Sequence, residues 1–349
     1  METTAGVMWA AVLHGPGDLR VEQVPLPAPG PGEVLLEVVA CGVCGSDLDR
    51  ALRKGSHRTP LILGHEFSGH VRELGPGVDD CWLGALATVP PLIPCRACAE
   101  CLQGEYGLCS NYSYFGSRVD GAYASSVVVP TGNLVRLPDD LDPRLGAMVD
   151  PAAVALHAIW RTSVRLGDSV AVVGAGPIGL FAVQLAKILG ASDVVALDIV
   201  PEKLDVAVRF GARAAFRTVA EALAERPDGF DVVVETAGVN AGEETAVLLA
   251  GRHGRVVFVG IPNAPVTLSE RAFDRVLRYE IHLIGSWNSM SSPFPGSGWR
   301  TIVELFASGR LRGIEMVTDE VTVMDLPELL PHLADRTEFH LKALVVPVR

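Results

Sequence analysis

Two hydrophobic periods divide the chain. Up to about residue 150, short β-branched runs alternate with turn residues. Residues 34–40 read as a strand, with a proline-rich stretch before it and Gly42 and Gly45 after it. Residues 127–129 read as another short strand, ended by Pro130. Such spacing predicts a β-rich domain with long functional loops. The period then lengthens. Strand-like residues 170–173, 194–197, 232–235 and 256–259 alternate with helix-like segments at 179–189 and 201–210. Pro201 stands near the first turn of the second helix and Gly211 just past its end. Strands alternating with helices predict an α/β Rossmann unit, a doubly wound parallel sheet. From about residue 285 the pattern reads as irregular, closing on a strand at 343–348 that returns to the first domain. The expected organisation is a β-rich domain over residues 1–152 and 286–349, and an α/β domain over 153–285.

Composition narrows the function classes. A chain of 349 residues exceeds one ordinary core, and 49% hydrophobic residues place it far from disorder. A formal charge of −12 argues against nucleic acid or an anionic membrane surface as partner. Residues 170–186 carry no formal charge and approach the length of a membrane span. Three glycines, Pro177 and Gln184 within them fit a buried strand, a tight turn and a helix better. Residues 1–6 show no secretory pattern, and seven cysteines make an odd count for a disulfide framework. The expectation is a cytoplasmic protein.

The turn after the first α/β strand, Gly174-Ala175-Gly176-Pro177-Ile178-Gly179, matches G-x-G-x-x-G between an apolar strand and an apolar helix. Gly174 permits the turn, Gly176 lets backbone approach a pyrophosphate, and Gly179 allows close helix–strand packing. The helix N-terminus then offers free N–H groups to the phosphates. Asp198 ends the next strand, and no arginine follows it at 199–203. A carboxylate there accepts from ribose hydroxyls and repels a 2′-phosphate, so the expected cofactor is NAD. Lys203 is read either as a ribose contact or as a solvated helix lysine.

Cys95, Cys98, Cys101 and Cys109 place four thiolates on one loop. That set matches a closed structural zinc site. An iron–sulfur cluster is the competing reading, but hydride transfer to a nicotinamide needs no one-electron carrier. Cys44 and Ser46 follow the first strong strand, and His65-Glu66 lies downstream. Cys44, His65 and an acidic residue, Glu66 or Asp150, supply the mixed ligands of an open catalytic zinc. Such a zinc is a Lewis acid for a substrate hydroxyl. Ser46 is read as passing the proton outward, or as a surface serine. A C-x-x-C redox pair at Cys41 and Cys44 lacks any thioredoxin-like context. Cys41 and Cys81 are read as buried bystanders, and His57 as a surface histidine.

Taken together, the Gly64-His65-Glu66-x-x-Gly69-x₅-Gly75-x-x-Val78 run, the four-cysteine loop and the nucleotide turn resemble the zinc-dependent medium-chain dehydrogenase/reductase family. Segments such as Glu235-Thr236-Ala237-Gly238 and Gly285-Ser286-Trp287 resemble its sorbitol and galactitol-1-phosphate dehydrogenase branch. The resemblance implies a GroES-like catalytic domain, a Rossmann domain, two zinc ions per chain, NAD, and a homodimer or homotetramer. It implies oxidation of a secondary hydroxyl of a polyol, sugar phosphate or cyclitol, or the reverse reaction. An aminocyclitol or other natural-product substrate, a non-catalytic NAD sensor and a zinc-free quinone reductase are the alternatives. Carried over by position, Cys44, His65, Glu66 and Asp150 fall on catalytic-metal positions. Thr236, Gly260, Ser286 and Trp287 fall among cofactor-binding ones. Asp150 stands where the branch commonly carries glutamate. One methylene shorter, it reaches a metal through water or after a backbone shift. Arg118 and Asn288 are the candidate substrate contacts, Arg118 equally an exposed structural arginine.

Overall fold

The computed structural model describes residues 6–335 and 338–347. Residues 1–5, on which the leader expectation rests, and Val348 of the expected last strand lie outside them. The chain divides into two units, Met1–Asp150 with Met290–Arg349, and Pro151–Ser289. Ser286, Trp287 and Asn288, expected with the first domain, therefore belong to the second.

In the first unit, strand Glu33–Gly42 lies between two antiparallel neighbours, Glu66–Leu74 and Lys342–Val346. Ser126–Pro130 also pairs with it, and Val317–Thr322 extends the sheet in parallel beyond Lys342–Val346. Val34, Leu36, Val38, Phe67, Val71 and Val127 lie in the core that this pairing buries. The register sets Gly42 opposite both Glu66 and Leu344. A side chain at Gly42 would stand 2.8 Å from Lys342 Nζ and would overlap the Glu66 carboxylate. Glycine there leaves room for two buried charges to meet.

The second unit is a six-stranded sheet in which every pairing is parallel. Its order is Ala214–Phe216, Asp193–Leu197, Ser169–Val173, Phe230–Glu235, Ala250–Phe258 and His282–Gly285. Strands are added on one side of Ser169–Val173 and then on the other, and such a switch point in strand order is where doubly wound sheets bind ligands. Ser169–Val173 is buried throughout. Helix Pro177–Ile188 is buried continuously from Gly179 to Ala186, so the uncharged run is interior strand and helix. No described helix is long and apolar enough to cross a membrane.

Two expectations are corrected. The segment after residue 285 is not irregular: it holds helices Ser297–Ala307 and Leu326–Asp335 besides strand Val317–Thr322. Trp299, Ile302, Val303 and Phe306 are buried at helical spacing. The serine, proline and glycine run just before them hid the pattern. Cys41 is buried, but Cys81 is exposed on a short 3₁₀ turn.

Candidate functional site

The end of strand Glu33–Gly42 and the start of Glu66–Leu74 are in register, and this brings the Cys44 turn beside His65 and Glu66. One ligand atom from each of Cys44, His65 and Glu66 lies within 4.8 Å of the others. A thiolate, an imidazole and a carboxylate form a borderline-soft donor set that fits zinc and leaves an exchangeable position. Asp150 lies outside this trio but remains buried. Burial, with Glu66 nearby, pushes its carboxyl up to about 7 despite His65.

Around the trio stand residues that the sequence reading left without a role. Asp47 is fully buried; its Oδ1 lies 3.2 Å from His65 Nδ1, and its Oδ2 accepts the Cys44 N–H at 3.1 Å. With the carboxylate facing Nδ1, the other ring nitrogen, Nε2, is the one left to face a metal. Burial opposes ionisation of Asp47, yet His65, Arg50 and the Cys44 N–H hold it below the usual carboxylate range. Burial likewise opposes a charged His65, and Asp47 and Cys44 outweigh it, raising that imidazole well above its ordinary value. Lys342, buried at the start of the last strand, pairs with the Glu66 carboxylate and donates to Val43 O at 3.0 Å. Ser46 Oγ lies 3.4 Å from Cys44 Sγ and accepts from Arg50 at 2.8 Å. The signal for Asp47 was its place three residues after Cys44. Nothing local marked Lys342, which arrives from the far end of the chain.

The four-cysteine loop folds as expected for a closed metal knot. Cys95 and Cys101 sulfurs stand 4.0 Å apart, and those of Cys98 and Cys109 3.7 Å. A tetrahedral Zn–S₄ centre has sulfur–sulfur edges of about 3.8 Å, far beyond a disulfide. Backbone N–H groups of Ala97 and Cys98 point at Cys95 Sγ and lower its thiol to about 6.

The second unit carries the nucleotide turn. Gly174 has φ +94°, a conformation that favours glycine. A side chain at Gly179 would overlap the Gly174 carbonyl, whereas one at Gly176 would meet nothing within 4 Å. Gly176 therefore faces open space at the start of helix Pro177–Ile188, where no side chain caps the free N–H groups. Pro177 and Ile178 open the helix. This cradle fits a dinucleotide phosphate. Asp198 accepts from Ala175 N at 2.8 Å and Val200 N at 3.0 Å, which fixes its carboxylate beside the turn. Thr236 Oγ1 donates to Gly174 O at 2.9 Å, so this residue braces the turn. Glu235, unassigned from sequence, shapes the turn bearing Thr236 by accepting from Ala237 and Gly238 N–H groups at 2.7 and 2.9 Å. Gly260 allows close approach: a side chain there would press on Gly238 and Glu235. Ser286 Oγ and Asn288 Nδ2 are buried without a protein partner, a sign of polar groups kept for a ligand. Trp287 is exposed and Lys203 half-buried. In the first unit, Arg118 is exposed over the Tyr112 ring at 4.7 Å, and His57 is exposed.

Residues 30–139 match the alcohol dehydrogenase GroES-like domain, and residues 177–308 match the zinc-binding dehydrogenase domain. Galactitol 1-phosphate 5-dehydrogenase of Escherichia coli strain K12 is 39% identical over 285 residues, covering 80% of this chain and 82% of its own. Sorbitol dehydrogenase of Bacillus subtilis strain 168 is 31% identical over 353 residues, with 98% of each chain covered. The crystal structure of galactitol-1-phosphate dehydrogenase from Escherichia coli matches with a TM-score of 0.92 at 35% identity, covering 97% of this chain and 100% of that one. A zinc-binding dehydrogenase from Sinorhizobium meliloti 1021 bound to NADP matches with a TM-score of 0.90 at 33% identity, covering 98% and 99%. With the fold, the donor set and these likenesses in agreement, the chain belongs to the zinc-dependent medium-chain dehydrogenase/reductase family.

Proposed function

We propose that this dehydrogenase oxidises a secondary hydroxyl of a polyol, sugar phosphate or cyclitol to a ketone with NAD, or runs the reverse reaction. The observation that carries the reading is the convergence of Cys44, His65 and Glu66 in a zinc-dependent dehydrogenase. The hydroxyl-rich substrate class rests on the named relatives, galactitol 1-phosphate 5-dehydrogenase and sorbitol dehydrogenase.

When bound, zinc supplies Lewis acidity to the substrate hydroxyl, and the nicotinamide accepts hydride. Cys44 and His65 hold the metal. Glu66, restrained by Lys342, completes the trio, and Asp150 acts from outside it as a buried group able to hold a proton. Ser46, between Cys44 and Arg50, is placed to lead a proton outward. In the second unit, the Gly174–Gly179 turn takes the pyrophosphate. Asp198, its oxygens fixed by two N–H groups, takes the ribose hydroxyls and opposes a 2′-phosphate. Ser286 and Asn288 offer unused polar atoms to the cofactor or substrate.

A panel of sugar phosphates, free polyols and cyclitols, read at the absorbance of reduced nicotinamide with NAD and with NADP, tests this. Turnover of one class with NAD supports the proposal. A preference for NADP overturns the role given to Asp198, and turnover only of simple unsubstituted alcohols overturns the substrate class.

A further inference from the structure

We propose that Tyr123 is a positioning residue for the Cys44–His65–Glu66 centre, acting on its ligands through Asp47. The inference rests on the reading of that trio as a metal site. Tyr123 reaches the centre from two sides at once. Its backbone belongs to a short segment running alongside the chain that delivers His65. Gly121 N donates to Ile62 O at 2.8 Å, Tyr123 N to Leu63 O at 2.9 Å, and Ala122 N to Gly64 O at 2.9 Å. On the opposite edge, Ala11 N donates to Tyr123 O at 2.8 Å, which ties this segment to strand Val7–Gly15.

The ring lies against Gly64, the residue just before His65. A side chain at Gly64 would stand 2.5 Å from Tyr123 Cδ1, and its φ of +91° also favours glycine. The phenol then extends to Asp47. Its hydroxyl donates to Asp47 Oδ2 at 3.0 Å, the oxygen that also accepts the Cys44 N–H at 3.1 Å. Asp47 Oδ1 faces His65 Nδ1 at 3.2 Å. Both Tyr123 and Asp47 are 0% exposed, so in this structure the carboxylate is held by protein groups. One side chain therefore spans from the peptide preceding one ligand to the carboxylate that aligns two. Without the hydroxyl, Asp47 keeps the Cys44 N–H on Oδ2 and its Oδ1 contacts with His65 and Arg50, but the carboxylate shared by the His65 imidazole and the Cys44 turn is held less firmly.

Tyr123→Phe isolates the effect, because it keeps the ring against Gly64 and removes a single oxygen. Substitutions behind a metal ligand commonly cost 10–100-fold in metal affinity or activity, and a group one bond further out should fall near the lower limit. Expected for Y123F is about tenfold faster stripping of the more labile zinc by 1,10-phenanthroline. A shifted visible absorption band when cobalt replaces that zinc, and a lower kcat at unchanged KM for NAD, are expected with it. The thermal midpoint should fall modestly, because one hydrogen bond to a buried carboxylate is lost. Stripping kinetics and a cobalt spectrum identical to the parent would overturn the proposal, as would a lowered midpoint with unaltered stripping. A parent protein holding one zinc, unchanged in Cys44→Ser, overturns the metal-site reading itself; two zincs, one lost in Cys44→Ser, uphold that reading whatever Y123F does.

Discussion

A lysine and a glutamate buried together at a metal site carry opposite obligations. Glu66 needs a positive neighbour to remain charged away from water, and Lys342 needs a negative one. Burial opposes the Lys342 ammonium, but Glu66 and Cys44 outweigh it and raise its pKa above the ordinary lysine range. In the metal-free protein, Lys342→Met is expected to destabilise by about 3–5 kcal/mol, since it strands a buried carboxylate. Urea unfolding measures this, and K342M/E66Q should recover more than half of the loss. Failure to recover would mean that Lys342 matters for packing and not for charge. At the metal itself, Cys44→Ser is expected to abolish turnover while NAD affinity, followed by nicotinamide fluorescence, stays near that of the parent. Equal loss of both would place the site elsewhere. The residues that converge at this scale were legible in the G-H-E run and the spaced cysteines. Lys342 was not, because 276 residues separate it from Glu66.

At the scale of elements, the strand–turn–helix from Ser169 to Ile188 shows how one motif divides its labour. Gly179 is required by packing, whereas Gly176 faces open space where the proposed phosphate would rest. Gly179→Ala should destabilise the second unit by about 1–3 kcal/mol, because its methyl overlaps the Gly174 carbonyl. Gly176→Ala should leave the melting temperature unchanged, since nothing lies within 4 Å of the added carbon. It should weaken NAD binding nevertheless, by filling the surface on which the phosphate rests. Calorimetric melting with and without NAD separates the two; matching behaviour would refute the division. This motif was readable from sequence because strand, turn and helix are consecutive. Helix Ser297–Ala307 was overlooked because the Ser/Pro/Gly run before it reads locally as loop, although its buried face repeats correctly.

For the whole molecule, the chemistry depends on two metal sites of different character. The four sulfurs form a closed set, whereas the Cys44 trio leaves a position open. Mild chelation should therefore remove one zinc together with activity, leaving the second bound and the fold intact; loss of both at one rate would contradict that contrast. The second unit also presents an edge strand, His282–Gly285, with Leu283 45% exposed, and Phe273 and Leu277 are exposed on the preceding helix. A second copy covering that edge would fit the homodimer or homotetramer that the family resemblance implies. Leu283→Arg should shift the protein toward monomer in sedimentation, and an unchanged mass would place the interface elsewhere. From sequence alone came the two hydrophobic periods, the nucleotide turn and the eight cysteine, histidine and acidic positions offered to two metals, because each follows from residues close along the chain. Only tertiary structure decided that Cys44, His65 and Glu66 form the trio while Asp150 stands outside, that Asp47 aligns His65, and that Lys342 restrains Glu66. Those outcomes depend on sheet register and burial, which bring distant residues to within a few ångströms and leave no imprint on local sequence.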